Sequence, residues 1–97
     1  MAQIDGNPVY GTDAAGADAY VEVIAAPAGN RAPYTHLIVS CATKDAIISL
    51  NGGTTDHLRV SAGVLPMRLD GLSIRGAIQA KSAATGENYA TLVAIAW

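Results

Sequence analysis

Two histidines, one cysteine and eight carboxylates are the stock from which this chain could assemble a catalytic or metal site. His36 and Cys41 lie an odd number of residues apart, so in one continuous strand they point to opposite faces and cannot act as nucleophile and base. Cys41 reads instead as a small core residue. Ser40 shares a face with His36 but sits roughly 13 Å along the strand, far beyond the roughly 3 Å contact a general base needs. Asp56 and His57 follow a turn, where neighbouring side chains diverge and an aspartate bonded to nearby backbone is expected. Zinc needs three or four ligands, for which His36 and His57 with an unspecified carboxylate are only a weak signal. Asp13 and Asp18 flank a Gly- and Ala-rich stretch without the Asp-x-Asp-x-Asp-Gly spacing of a calcium loop. Gly52 and Gly53 precede no helix, which removes a phosphate cradle. No catalytic residue, metal or cofactor is expected, and the chain reads as non-enzymatic. Tyr10, Tyr20, Tyr34, Tyr89 and Trp97 could stack on sugar rings, although aromatics in a small β domain more often anchor cores and interfaces.

The elements that would carry these residues are strands. Residues 1–17 mix Gly, Asp, Asn, Pro and Ala around Ile4, Val9 and Tyr10, a composition that predicts an extended N-terminal arm, either a frayed terminus or an arm that orders on a neighbouring subunit through Tyr10 and Ile4. Residues 18–97 form the folded domain. Its first strand is expected over Ala19–Ala25, with Tyr20, Glu22 and Ile24 on a partly wet face, followed by a loop from Ala26 to Pro33. Two prolines there exclude a central strand. Tyr34–Thr43 alternates, with Leu37, Val39 and Cys41 facing the core. Lys44-Asp45 turns into Ala46–Leu50, and Asn51-Gly52-Gly53 supplies the positive φ angles of a tight hairpin. Pro66 confines Val64–Leu69 to an edge or an irregular strand. Asp70-Gly71 turns into Leu72–Lys81, in which Gly76 suggests a bulge. Tyr89–Trp97 closes the domain, with Tyr89, Thr91, Val93, Ile95 and Trp97 on one side. Short strands with frequent turns and no capped helix predict an all-β antiparallel sandwich.

Composition bears on what such a domain is for. Of 97 residues 51% are hydrophobic and only 14% charged, against about 25% charged in a typical domain. A chain this short buries roughly two thirds of its unfolded surface, and a single cysteine cannot close an intrachain disulfide. Association with other protein is the expected remedy, through a homo-oligomer or a larger assembly. A net charge of −2 with scattered lysines and arginines gives no electrostatic hold on nucleic acid. The apolar runs fall short of the roughly 20 residues of a membrane helix. The N-terminus lacks a basic region and an apolar core, so no secretory leader is expected, and the reduced thiol suits synthesis in a cytoplasm.

With the strands placed, IISLNGGTTDHLRVSAGV through LDGLSIRGAIQAKSAATGENYATLVAIAW resembles small virion structural proteins of tailed bacteriophages. It is most like their capsid decoration, or cement, proteins. The likeness covers about residues 35–97 and rests on the order of strands and turns, ending on Trp97. It implies a jelly-roll-like β-sandwich, often a trimer, made in the bacterial host cytoplasm. Such a protein sits on the capsid surface of the virion and bridges subunits of the major capsid protein. A trimer is the favoured oligomer, and neither nucleic acid nor a membrane is an expected partner. Candidate contacts are Ile4, Val9 and Tyr10 in the arm, and Pro27, Asn30, Arg31 and Pro33 in the loop. A neck, tail or fibre-base component and a glycan-binding sandwich are the alternative readings.

Overall fold

Strands alternate in side-chain direction, so a chain with two-residue apolar periodicity can bury one face only by stacking sheet on sheet. The computed structural model does this with eight strands; it describes residues 8–14, 18–29, 32–53, 55–63, 66–86, 89 and 91–97. The strands are β1 Val9–Asp13, β2 Val21–Ile24, β3 Leu37–Cys41, β4 Ala46–Ser49, β5 Leu58–Val60, β6 Met67–Leu69, β7 Ile78–Ser82 and β8 Leu92–Ala96. They form two antiparallel four-stranded sheets, sheet A in the order β1-β8-β3-β6 and sheet B in the order β2-β7-β4-β5. Among the described residues there is no helix, hence none long and apolar enough to cross a membrane.

One core lies between the sheets. Leu37, Val39 and Cys41 of β3 and Leu92, Ala94 and Ala96 of β8 meet Ile24, Ala46, Ile48, Val60, Ile78 and Ala80 from sheet B. The expected inward face of β3 is the observed one. Tyr34 and Ile74 extend the core through an isolated antiparallel bridge, with N–H···O distances of 3.0 and 2.8 Å.

Only the β4–β5 connection joins neighbours within one sheet; every other connection crosses between sheets. Gly52 and Gly53 have the expected positive φ, +80° and +88°, but they sit in a longer connection, residues 50–57, rather than in a tight hairpin turn. The turns at Ser61-Ala62-Gly63 and Asp70-Gly71 carry the chain from one sheet to the other. Gly63 and Gly71 do have positive φ, but that conformation reverses the chain without choosing which strand it pairs with next.

Three further expectations change. Val9–Asp13 is not free arm: it pairs with β8 over five residues in regular register. Gly11 permits this, because a Cβ there would stand 2.1 Å from the Val23 carbonyl oxygen. Residues 1–7 and 15–17 of the expected arm lie outside the described residues. Leu72–Lys81 is not one strand either, since Ile74 bridges to Tyr34 and β7 begins at Ile78. Gly76 marks a close crossing rather than a bulge: its Cβ would sit 2.7 Å from the Asn51 Cα. A register shift occurs instead in β2, between Glu22 and Ile24, and it turns Ile24 into the core. Pro66 precedes β6, an edge strand as expected.

Candidate functional site

The two outer faces differ in chemistry. On sheet A the registers place Tyr10 beside Ile95, Ile95 beside Ile38, and Ile38 beside Arg68, a row that crosses all four strands. The next row runs Thr12, Val93, Ser40. Tyr10 is 62% exposed, the most exposed large apolar side chain among the described residues, while Ile38, Val93 and Ile95 are half-buried. An antiparallel sheet with one face in water normally sets polar residues on that face. Sheet A is apolar on both faces because its central strand reads Leu-Val-Ala-Ile-Ala.

Beyond β8, Trp97 and His36 exchange backbone hydrogen bonds, with His36 N to Trp97 O at 3.0 Å and the reverse at 3.2 Å. Their rings stack at 5.1 Å with an interplanar angle of 1°. Arg68 brings its guanidinium carbon to 5.8 Å from the indole centroid, and its Nε pairs with Asp70 at 3.1 Å. The rim charges therefore pair with each other, and the sheet A face carries almost no net charge.

Sheet B presents Glu22, Ile47, Arg59, Gln79 and Lys81 outward, with Tyr20 and Asp56 at its margin. Arg59 pairs with Asp45 at 2.9 Å and Lys81 with Asp56 at 3.3 Å. The Tyr20 hydroxyl donates to Asp56, and Lys81 Nζ lies 4.8 Å from the Tyr20 ring centroid. Burial, then this carboxylate, pushes the Tyr20 hydroxyl pKa up, and the same hydrogen bond holds Asp56 below the usual carboxylate range. Asp45 is lowered first by the Ala62 amide, at 2.8 Å, and then by Arg59. These groups form a solvated polar lattice that ties turns to strands.

The candidate chemical residues are dispersed. Cys41 faces the core and His36 the opposite side; burial raises the Cys41 thiol pKa. His57 Nδ1 accepts the Leu50 amide at 3.0 Å, so the ring braces the hairpin, and Asp56 bonds to Tyr20 and Lys81 rather than to local backbone. Asp13 accepts the Tyr89 hydroxyl at 2.5 Å, whereas Asp18 accepts the Gly86 amide at 2.9 Å. No group of three or more His, Cys, Asp or Glu that could hold a metal ion occurs among the described residues. Of the aromatics proposed as a sugar platform, Tyr34 and Tyr89 are buried, and Trp97 has His36 stacked on it.

Among the expected contacts, Tyr10 stands free on the sheet A face. Val9 instead packs against the core, because it alternates inward with Gly11. Pro27 is buried and Pro33 half-buried within the chain itself, which withdraws Pro27 from any partner. Ile4, Asn30 and Arg31 lie outside the described residues. Ile38, Val93 and Ile95 complete this apolar outer face and were not among the expected contacts; for Val93 and Ile95 the signal was a closing strand apolar at every position. No protein-family model, curated protein or solved structure matches this chain.

Proposed function

We propose that the protein is a non-enzymatic virion structural protein of the capsid decoration class, which binds the outside of a phage capsid and bridges major capsid subunits. The observation that carries this reading is the inequality of the two faces. Sheet A offers a nearly neutral apolar surface of Tyr10, Ile38, Val93 and Ile95, while sheet B carries the ion pairs Arg59–Asp45 and Lys81–Asp56. A protein that sits on a lattice needs one adhesive face and one face to solvent, and it needs no turnover chemistry. The resemblance over residues 35–97 supplies the kind of lattice.

The strand orders support the jelly-roll form of the sandwich. Strands β1, β8, β3 and β6 interleave with β2, β7, β4 and β5, as two Greek keys folded together would place them. In this reading many copies cover one shell, so weak single contacts add through effective concentration and oppose the outward pressure of packaged DNA.

The test is co-sedimentation with capsids that lack the protein, together with its copy number in the complete virion. Ile95→Lys is expected to weaken binding more than about tenfold, as for a charge set in the centre of an interface, and Gln79→Lys on sheet B to leave it unchanged. Equal loss with both variants, or no binding by the unaltered chain, would overturn the reading. A few copies at a single vertex would place the protein in the neck or tail instead.

A further inference from the structure

A sheet edge is a row of backbone donors and acceptors with a strand on one side only, and folded proteins blunt such edges with charge, proline, bulges or short strands. Three of the four edges here are blunted. Strand β6 is three residues long, follows Pro66 and exposes Arg68; β5 is also three residues long and exposes Arg59. Strand β2 exposes Glu22 and breaks register beside it. Strand β1 follows Pro8 as β6 follows Pro66, but within the strand itself it has none of these devices. It runs five residues in unbroken register with β8, its outward side chains are Tyr10 and Thr12, and its single charge, Asp13, turns inward to Tyr89.

We infer that β1 pairs with β1 of a second copy of this chain, antiparallel across a twofold axis at Gly11, which joins the two A sheets into one. A register centred on Gly11 uses all five residues of both strands. It sets Tyr10 opposite Thr12 of the second copy on the outer face, an aromatic beside a β-branched residue, and does so twice. On the inner side Val9 meets Asp13, so no like charges face each other. A twofold pairing also consumes the open edge on both copies and stops there, leaving only blunted edges outside. The apolar rows of the two copies then run on as one surface. The inference stands apart from the virion reading, since it concerns the isolated chain.

The test is the solution mass of the full chain by sedimentation equilibrium, up to about 1 mM, the weak limit of specific association. The expected mass is that of two chains, falling to one on dilution. Thr12→Lys is expected to give a single-chain mass at every concentration while keeping the β-sheet circular dichroism spectrum. An oxidised equimolar mixture of Tyr10→Cys and Thr12→Cys is expected to give a covalent dimer joining the two variants, and neither variant to give one alone. A single-chain mass throughout, a three-chain mass, or a dimer that Thr12→Lys leaves intact would each overturn the inference.

Discussion

Gly11→Ala tests whether Val9–Asp13 belongs to the sandwich. The added Cβ would meet the Val23 carbonyl oxygen at 2.1 Å, with the Val23 carbonyl carbon and Ile24 Cγ1 each at 2.8 Å. Ordinary contact begins at 3.4 Å, so β1 and β2 must part by 1.3 Å, the difference between 3.4 and 2.1. The obstacle is backbone, which cannot swing aside as a rotamer can. Overpacking of this kind costs about 1–3 kcal/mol, a large share of the roughly 5–15 kcal/mol available to a small domain. For a chain of about a hundred residues that lowers Tm by roughly 4–8 °C per kcal/mol. Gly29→Ala is the control, since a Cβ there meets nothing within 4 Å; it is expected to be neutral or slightly stabilising. The assay is urea unfolding followed by circular dichroism, with amide exchange across the β1–β8 ladder. Gly11→Ala within about 0.5 kcal/mol of the unaltered protein, the scatter of ordinary surface changes, would show that β1 does not lie over β2 and would restore the free arm.

Three other outcomes follow from the same contacts. Ser49 is fully buried, and its Oγ accepts the Gly53 amide at 2.9 Å while donating to Asn51 Oδ1 at 2.8 Å; Ser49→Ala is expected to cost about 1–3 kcal/mol and to speed exchange at the Gly53 amide. Ser82 Oγ is buried with no hydrogen-bond partner among the described residues, so Ser82→Ala is expected to be neutral or stabilising in urea titration, because it removes a hydroxyl that folding only desolvates. Stability is expected to fall at both ends of the pH scale. Asp45 and Asp56 are depressed below their ordinary 3.8, so their contribution is present above that value and lost as pH drops through the lowered pKa values. Tyr20 and Tyr89 are raised above 10.0, so theirs is present below 10 and lost as pH climbs through the raised ones. Tyr89→Phe should flatten the alkaline limb, and Asp45→Asn the acid limb, in Tm measured against pH.

Much of the domain was legible without coordinates because side-chain direction in a strand is a local property. Alternation identified Leu37, Val39 and Cys41 as an inward face, separated Cys41 from His36, and made Asn51-Gly52-Gly53 a hairpin. Pro66 marked an edge since a missing N–H is a defect wherever the strand lies. These facts need no knowledge of which strand lies beside which.

What only the tertiary structure decided is pairing, and with it which outer face is apolar. Strand β1 is separated by most of the chain from β8, its one neighbour in the sheet among the described residues, and no local signal relates Gly11 to the Val23 carbonyl that makes glycine necessary there. Gly63 and Gly71 specify reversals of the chain but not whether it stays in its sheet. The row Tyr10, Ile95, Ile38 exists only once three distant strands share a register. The sequence by itself determined the alternation, the turns and the low charge, all set by neighbouring residues. The apolar outer face of sheet A arose from long-range backbone pairing, whose partners are chosen by packing across the whole core.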